Sequence, residues 1–547
     1  MVVFSGVLWI VSFSGVVLAD VTVQLPNGKI RGKTLTTPNN STFYAFLGVP
    51  YAKPPLGPLR FQAPEEPDNW DGVYDATKDS NICYAVTYDK DSESEDCLYI
   101  NVFTPTLHSF EKLPVIFSIY GGAFRSGYAA YGNGGPEWFV ENGIVFVSFN
   151  YRVGPFGFLS TGDLVVSGNA GLKDQNLALK WTRANVGAFG GDGERIVIHG
   201  QSAGGASVTY HLLSEKSRGL YRAAIAESGS ALCTWGYLEA PKTYVETLAK
   251  IINDGVDYPS SDSGQLLDYL QNVSAREIDY ASTQLGLTLP VLEVDHVDAF
   301  LTRSMYELVS TGDVSRVPLI IGINSEEEIG KASDVENLKE LAAHYDSSSV
   351  YLIPADLGSL SSQNKTVVGQ LIKEAYVGND TFSDNVGAVV SYFSDNQFTR
   401  AIIRYGELQA KYSPVYFYEF SYKGKMGNLD TSIDGADSVG HGEEMKYLFV
   451  TRSGSYDNTQ YANFAESDVL THLRMVRMWT NFVKYLNPTP DDGSDDLVNV
   501  TWPTVGEDFY YLNINDSLEV STTPKGRRYE TWRYAYDNYG TRAYVTY

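Results

Sequence analysis

The stretch Arg195-Ile-Val-Ile-His-Gly-Gln-Ser-Ala-Gly-Gly-Ala-Ser-Val-Thr-Tyr-His211 joins a β-branched run, a glycine-rich corner and the start of a helical pattern. The corner, Gly200-Gln-Ser-Ala-Gly204, fits G-x-S-x-G, a turn that raises a serine hydroxyl above the end of a strand. Glycines there let the strand and helix backbones approach closely. The N-terminus of the following helix would point its free N–H groups toward an oxyanion formed at Ser202. The stretch therefore predicts Ser202 as a nucleophile, with a plain glycine-rich loop as the alternative.

Strand and helix patterns alternate along the rest of the chain. Almost entirely apolar runs at 113–120, 144–149 and 317–322 are typical of strands covered on both faces. Residues 174–185 form a helical pattern with Asp174 as its expected N-cap. We expect an α/β fold, with a large, mostly parallel twisted sheet and helices on both faces. Within it, residues 46–64 read as irregular, and the tyrosine-rich tail from Lys525 reads as surface.

The N-terminal residues 1–19 are apolar, carry no charge and end in Val-Leu-Ala. This pattern favours a signal peptide cleaved after Ala19, with an N-terminal membrane anchor as the alternative. Residues 20–547 are then expected to form a single domain that is secreted into the extracellular space. No later segment approaches the length of a membrane span, so we expect no membrane association after cleavage.

Sequons and cysteines fit an exported chain. Cys83 and Cys97 flank a polar loop and are expected to form a disulfide, which leaves Cys233 free and buried. Asn39 and Asn40 begin overlapping sequons, of which only one is expected to be used. The candidate glycosylation sites are Asn40, Asn272, Asn364, Asn379, Asn499 and Asn515.

The formal net charge of −25 argues against binding to nucleic acid or to anionic membrane surfaces, because phosphates would be repelled. A small-molecule substrate fits this composition better. The chain has seven histidines, so the base that a serine nucleophile needs can be sought by elimination. His441 lies in the loop Asp437-Ser-Val-Gly-His-Gly-Glu-Glu444, where glycines on both sides permit an exposed imidazole. The alternative is a solvent-exposed loop histidine without function.

The remaining parts of a hydrolytic site are expected at the ends of other strands. The base needs an acid to orient it, and the run Leu319-Ile-Ile-Gly-Ile-Asn-Ser-Glu-Glu-Glu328 ends in three carboxylates, among which spacing does not choose. The corner Tyr120-Gly-Gly-Ala-Phe124 follows an earlier strand. Its small residues make the N–H groups of Gly122 and Ala123 candidate oxyanion donors, together with that of Ala203.

Seven motifs spread over the chain form a specific combination. They are Val49-Pro-Tyr-Ala-Lys-Pro-Pro55, Ser94-Glu-Asp-Cys-Leu-Tyr-Ile-Asn101, Gly121-Gly-Ala-Phe124, Asn150-Tyr-Arg-Val-Gly-Pro-Phe-Gly-Phe158, Gly171-Leu-Lys-Asp-Gln175, Phe189-Gly-Gly-Asp192 and Gly200-Gln-Ser-Ala-Gly-Gly205. Together they resemble the type-B carboxylesterase/cholinesterase family, and within it secreted insect esterases. The resemblance runs from about residue 21 to residue 518 and implies the α/β-hydrolase fold.

The resemblance also implies roles for single residues. It places Ser202 as nucleophile and His441 as base. The family's Gly-x-Asn-x-x-Glu pattern falls on Gly322-Ile-Asn-Ser-Glu-Glu327 and so selects Glu327 as the acid. Ser228 matches a second serine that supports the triad in this family. Cys83 and Cys97 match the family's first disulfide, and no metal or organic cofactor is implied.

Two departures from the family bear on the substrate. Cholinesterases carry a glutamate before the nucleophile and a choline-stacking tryptophan in the first disulfide loop, whereas this chain has Gln201 and no tryptophan between residues 84 and 96. Choline esters would lack their cation–π partner here. We therefore expect a secreted carboxylesterase acting on small to medium apolar esters, such as odorants, pheromones or xenobiotics. A juvenile hormone esterase and a catalytically silent adhesion protein are the alternatives.

Overall fold

The computed structural model describes residues 21–85, 91–108, 110–132, 134–256, 262–357, 359–427, 429–490, 494–540 and 544–546. The expected signal peptide, residues 1–19, lies outside the described residues. Within them, none of the helices combines the length and apolar character needed to cross a bilayer.

Most strands of the described residues belong to one thirteen-stranded sheet, and two short strands, β12 and β13, pair separately. The strands are β1 (Val21–Leu25), β2 (Gly28–Thr36), β3 (Thr42–Pro50), β4 (Val73–Asp75), β5 (Tyr99–Thr104), β6 (Leu113–Ile119), β7 (Val145–Phe149), β8 (Gly191–Gln201), β9 (Ala223–Glu227), β10 (Leu319–Asn324), β11 (Val415–Phe420), β12 (Arg452–Ser453), β13 (Tyr456–Asp457), β14 (Tyr510–Ile514) and β15 (Leu518–Thr522).

The strand order in the large sheet is β1-β2-β3-β5-β7-β6-β8-β9-β10-β11-β14-β15, with β4 paired to β2. Neighbours from β7 through β14 are all parallel, and antiparallel pairs occupy the two ends. The sheet is therefore mostly parallel, as the sequence predicts. Because parallel strands share one direction, the residues that follow β6, β8, β10 and β11 emerge at the same edge.

Helices connect these strands. They are α1 (Glu137–Glu141), α2 (Gly154–Phe158), α3 (Ala170–Asn185), α4 (Ala203–Leu213), α5 (Pro241–Ile252), α6 (Ser263–Asn272), α7 (Ala275–Ser282), α8 (Met305–Thr311), α9 (Val335–Ser347), α10 (Ser362–Val377), α11 (Gly387–Ser394), α12 (Arg400–Gln409), α13 (Met445–Leu448), α14 (Glu466–Tyr485) and α15 (Arg527–Tyr539).

Apolar cores cover both faces of the sheet. On β6, Val115 and Phe117 pack into one cluster and Ile116 into another, and all three are buried. Side chains alternate between faces along a strand, so a strand covered on both sides must be apolar at successive positions. This explains the nearly continuous apolar run that marked β6 in the sequence.

The expectation that residues 46–64 are irregular is wrong for the first part of the segment. Strand β3 extends through Phe46 to Pro50, and Phe46, Leu47 and Val49 are fully buried. Pairing with β2 on one side and β5 on the other holds this part extended. Proline ends the strand because it lacks the N–H that would continue the ladder.

The expected N-cap at Asp174 is also wrong. Helix α3 begins four residues earlier, at Ala170, and Asp174 lies fully buried in its interior. Its carboxylate pairs with the Arg152 guanidinium through Nε at 2.8 Å and Nη2 at 2.7 Å. Burial raises the pKa of Asp174, although the Arg152 charge opposes this shift. A partner 22 residues away, rather than the helix end, decides the position of this carboxylate.

The tail from Lys525 is not simply surface. Lys525 is almost fully buried, and its Nζ donates to Glu419 Oε1 and to the Ser325 carbonyl, both at 2.7 Å. Helix α15 follows, and Trp532 on it is 1% exposed. The C-terminal segment therefore packs beside the strand ends of β10 and β11.

Candidate active site

Ser202 lies at the turn between β8 and α4. Its backbone dihedrals are φ 60° and ψ −127°, a conformation that is strained for a residue with a side chain and typical of functional sites. The Ser202 N–H donates to the Glu227 carbonyl at 2.8 Å, and the Ser202 carbonyl accepts from the Ala206 N–H at 2.9 Å. The half-buried side chain is thereby fixed at the edge of the sheet.

Close backbone approaches explain the glycines around this turn. A Cβ on Gly204 would lie 2.1 Å from the Ile119 carbonyl oxygen at the end of β6. A Cβ on Gly121 would lie 2.5 Å from the Gln201 carbonyl oxygen and 2.8 Å from Ser202 Cβ. Only glycine fits at either position, because real Cβ atoms do not approach other atoms this closely. The loop after β6 therefore packs directly against the serine turn.

Glu327 and His441 are brought together from loops after β10 and β11. His441 Nδ1 lies 2.7 Å from Glu327 Oε2, and the His441 N–H donates to the Glu327 carbonyl at 3.2 Å. Glu327 Oε1 accepts from the Asn324 N–H at 2.8 Å. The Glu327 side chain is fully buried, whereas the imidazole of His441 is 28% exposed. The carboxylate is thus fixed, and the imidazole beside it faces an accessible space.

The two neighbouring carboxylates point elsewhere. Glu326 Oε2 accepts from Ser391 Oγ at 2.8 Å and from the Asp437 N–H at 3.1 Å. Glu328 lies 3.2 Å from Lys331 Nζ. Of the three candidates that the sequence spacing left open, Glu327 is the one that contacts His441.

Gln201 links the imidazole to the serine turn. Its Nε2 lies 3.3 Å from His441 Nε2. Because His441 Nδ1 donates to the Glu327 carboxylate, Nε2 carries the lone pair and accepts from the Gln201 amide. Among the described residues, no hydrogen bond joins the Ser202 hydroxyl to His441. Catalytic hydrogen bonds are often loose before substrate binds, so this geometry is compatible with a serine–histidine couple.

The three candidate oxyanion donors lie on two segments beside Ser202. Gly122 has φ 114° and Ala123 has φ 56°, so the loop turns sharply after β6. The Ala203 N–H is the first of helix α4 and has no intrahelical acceptor. In the described part of the chain, no backbone or side-chain acceptor binds the N–H groups of Gly122, Ala123 or Ala203. All three donors are therefore available to a ligand.

Ser228 follows β9 with a positive φ of 48°. Its N–H donates to the Gly322 carbonyl at 3.0 Å. The hydroxyl is buried and makes none of the hydrogen bonds found between described residues. The next residue approaches the serine turn, since a Cβ on Gly229 would lie 2.0 Å from the Ser202 carbonyl oxygen, but no contact joins Ser228 to the triad candidates in the described residues.

The expected disulfide is also in place. Cys83 and Cys97 form a disulfide, and Cys233 is free and buried, as predicted. The sequon residues are all at least partly exposed: Asn40, Asn272, Asn379 and Asn499 are exposed, and Asn364 and Asn515 are half-buried. Within the described ranges, no group of three or more His, Cys, Asp or Glu side chains could hold a metal ion.

The chain matches a known protein family over most of its length. The model described as "Carboxylesterase family" matches residues 19–532. This chain belongs to the carboxylesterase family.

Curated relatives of this carboxylesterase are named esterases. It is 33% identical to a venom carboxylesterase-6 from Apis mellifera over 90% of this chain and 91% of the relative. It is 32% identical to a juvenile hormone esterase from Tribolium castaneum over 85% and 83% of the two chains. It is also 32% identical to a cocaine esterase from Homo sapiens over 91% and 88%. The carboxylesterase is therefore a carboxylic ester hydrolase.

A solved structure gives the same result for the fold. The juvenile hormone esterase from Manduca sexta, with OTFP covalently attached, superposes with a TM-score of 0.81 and 26% identity. The match covers 95% of the carboxylesterase chain and 100% of the other chain. Together with the family, this similarity confirms the predicted α/β-hydrolase fold.

Asn324 and Glu444 also belong to the carboxylesterase site, although the sequence alone predicts no role for them. Asn324 Nδ2 donates to the Gly440 carbonyl at 2.6 Å and to Glu444 Oε2, which ties the end of β10 to the histidine loop. Glu444 is fully buried, and this burial, together with the nearby charges of Glu227 and Glu327, raises its pKa well above the usual value. Their positions, three residues before Glu327 and three after His441, were the only signal in the sequence.

Proposed function

We propose that this carboxylesterase hydrolyses esters through a triad of Ser202, His441 and Glu327. The observation that carries the proposal is the 2.7 Å contact between His441 Nδ1 and Glu327 Oε2, made beside the Ser202 turn. A buried carboxylate that accepts from Nδ1 fixes the tautomer in which Nε2 can act as a base. Gln201 already binds this Nε2 from the residue before the serine, which supports the assignment of His441 as the partner of Ser202.

The reaction then proceeds in two acyl transfers. Ser202 Oγ attacks the ester carbonyl while His441 Nε2 takes its proton, and Glu327 stabilises the imidazolium. The same nitrogen returns the proton to the alcohol as the C–O bond breaks. Water, deprotonated by His441, hydrolyses the acyl-enzyme and regenerates Ser202. For the first step, Gln201 must release Nε2 to the serine hydroxyl, so we infer a small side-chain rearrangement when substrate binds.

The N–H groups of Gly122, Ala123 and Ala203 are proposed as the oxyanion hole. They have no acceptor among the described residues and flank the serine on two sides. Preorganised donors of this kind stabilise the negative oxygen that develops during attack, and each contributes strongly because it needs no reorganisation. Ser228 is proposed to support the turn through its backbone, since its N–H binds the Gly322 carbonyl.

The proposed substrates are small to medium carboxylic esters. A juvenile hormone ester is a second candidate, because the carboxylesterase resembles juvenile hormone esterases in both sequence and structure. A kinetic panel of acetate esters of increasing alcohol length, with juvenile hormone included, distinguishes the two. The second candidate requires kcat/KM for juvenile hormone to exceed that for every acetate.

Ser202→Ala tests the triad directly. We expect loss of 1-naphthyl acetate hydrolysis and of labelling by a fluorophosphonate probe, with an unchanged thermal melting temperature. Ser521→Ala serves as the control, because Ser521 is a half-buried serine on β15, outside the proposed site. Full hydrolysis by Ser202→Ala would overturn the proposal. A wild-type chain that neither hydrolyses esters nor takes the label would favour the silent adhesion protein.

We also propose that the protein is secreted, glycosylated and folded as one domain over residues 20–547. The support is the disulfide between Cys83 and Cys97, which persists best in oxidising compartments, and the exposure of the sequon asparagines. Expression in insect cells should give a protein in the medium that begins at Asp20 and shifts in mass on treatment with an N-glycosidase. Retention in the cell pellet with residues 1–19 still attached would contradict secretion.

A further inference from the structure

A cavity of about 540 Å³ opens beside the serine turn. Gly122, Gln201 and Gly442 line the side of the cavity next to the proposed triad. Gln201 contacts His441 Nε2 and Gly442 directly follows His441, so the cavity is lined by direct neighbours of the nitrogen proposed to return a proton to the leaving alcohol. This position indicates that the cavity receives the alcohol part of an ester rather than the acyl part.

Part of the cavity wall is a row of polar side chains across three strands. Ser148 on β7, Ser118 on β6 and His199 on β8 lie directly opposite one another in the parallel ladder, and all three line the cavity. His199 precedes Gln201 by two residues on the same strand. At the usual rise of a strand, the row lies roughly 7 Å from Gln201 along β8.

The hydrogen bonds of this row determine which donors and acceptors remain free to bind a ligand. Trp479 Nε1 can only donate, and it binds Glu227 Oε1 at 2.6 Å. The other oxygen, Oε2, lies 3.0 Å from His199 Nε2, which donates to it. His199 Nδ1 lies 3.1 Å from Ser118 Oγ and, in the neutral imidazole that donates from Nε2, accepts the Ser118 proton. Ser118 therefore presents its free lone pairs to the cavity.

Ser148 complements this arrangement. Its hydroxyl makes none of the hydrogen bonds found within the described ranges, so it can both donate to and accept from a ligand. A ligand hydroxyl also donates and accepts, and it can bind Ser118 and Ser148 together. An alkyl chain end would instead remove water from both serines without replacing its hydrogen bonds, which costs binding energy.

We propose that Ser118 and Ser148 select alcohols with a second hydroxyl at the end distant from the ester, so that preferred substrates are monoesters of diols or other polyols. The inference rests on the proposed triad mechanism, because it places the leaving alcohol beside His441. It differs from the expectation of apolar ester substrates in the alcohol half of the ester.

The test compares hexyl acetate with 1,6-hexanediol monoacetate, which differ by one terminal hydroxyl. The measured quantity is the ratio of kcat/KM for the hydroxylated ester to kcat/KM for the alkyl ester. The double variant Ser118→Ala, Ser148→Ala should lower this ratio about tenfold, mainly through KM of the hydroxylated ester, as expected for two lost hydrogen bonds. Ser148→Ala alone, which disturbs no hydrogen bond of the described protein, should lower it about threefold.

Ser521→Ala is the control, since Ser521 is a half-buried strand serine on β15, outside the cavity lining. It should leave the ratio unchanged. An unchanged ratio in Ser148→Ala and in the double variant would overturn the inference, while hydrolysis of both esters would leave the triad proposal standing. Hydrolysis that survives Ser202→Ala would overturn the triad proposal instead, so the two failures are distinguishable.

Discussion

Replacing Glu327 by glutamine tests whether this carboxylate stabilises the imidazolium of the proposed triad. Glutamine keeps the size and an acceptor oxygen but removes the charge that faces His441 Nδ1. The catalytic cost should appear only when His441 carries a proton, which is in the transition states of both acyl transfers. We therefore expect kcat to fall strongly while KM changes little.

The distance in the structure gives the magnitude. Two unit charges separated by the 2.7 Å between Nδ1 and Oε2 interact by about 6 kcal/mol at an effective dielectric constant of about 20. Glu327 is fully buried, but the imidazole is 28% exposed, so water screens part of this interaction. A loss of about 10³- to 10⁴-fold in kcat is the expected result, of the size that neutralising a triad carboxylate has in serine hydrolases.

Glu326→Gln is the matched control, because it makes the same chemical change one residue away. Glu326 is also buried, and it binds Ser391 and the Asp437 N–H rather than the histidine. Burial raises the pKa of Glu326, and the charges of Lys525 and Arg528 oppose this shift. Removing its charge should change kcat by less than about tenfold.

The assay is steady-state hydrolysis of 4-nitrophenyl acetate, with the rate of fluorophosphonate labelling as an independent measure of serine reactivity. Both variants should retain the melting transition of the wild type within a few degrees. If Glu327→Gln keeps activity within tenfold of the wild type, or if Glu326→Gln loses more, the assignment of the acid is wrong.

Four further predictions concern stability and thiol reactivity. Cys83→Ser should lower the free energy of unfolding by about 3 kcal/mol, because it opens a loop of 14 residues. Burial raises the pKa of the Cys233 thiol to about 12, so this thiol should not react with a thiol reagent in the native protein at pH 8. Fast labelling would contradict this. Burial raises the pKa of Glu444 above its unfolded value, so its contribution to stability is greatest at acidic pH and declines as pH rises toward the folded pKa. Glu444→Gln should flatten this decline in the free energy of unfolding measured with urea. An unchanged dependence of that free energy on pH would refute the prediction. Lys525→Met should destabilise the fold by about 3–5 kcal/mol by leaving Glu419 without its ion pair, and a loss below 1 kcal/mol in urea unfolding would show that Glu419 finds another partner.

The serine turn could be predicted because its requirements are local. Gly204 must approach the Ile119 carbonyl, and the strained backbone of Ser202 needs small neighbours. Small residues are therefore required at fixed positions around Ser202, and the sequence shows them as a motif. The carboxylate that contacts His441 could not be chosen from local sequence. Three carboxylates follow β10, and the one that meets His441 is set by a backbone hydrogen bond between the two loops, which spacing does not encode.

Long-range pairs account for the errors. Asp174 resembles a helix cap when only its sequence neighbours are considered, but it lies in the interior as the ion-pair partner of Arg152. Lys525 looks like a surface residue until Glu419, 106 positions earlier, is placed beside it. Polar residues near a helix start or in a charged tail are assigned to solvent by composition, and only tertiary contacts can reverse that assignment.

The same edge of the sheet holds two histidine–glutamate pairs in very different surroundings. The imidazole of His441 is 28% exposed beside Glu327, whereas that of His199 is 2% exposed beside Glu227. Exposure suits the first pair to the proposed reaction with an ester, whereas the buried His199 contacts Ser118 in the cavity wall. Glu444 lies near both carboxylates, and burial together with the charges of Glu227 and Glu327 raises its pKa, while its Oε2 accepts from Asn324 Nδ2. A third charge at this position would repel the carboxylate proposed to stabilise the imidazolium, so the raised pKa of Glu444 supports the proposed role of Glu327.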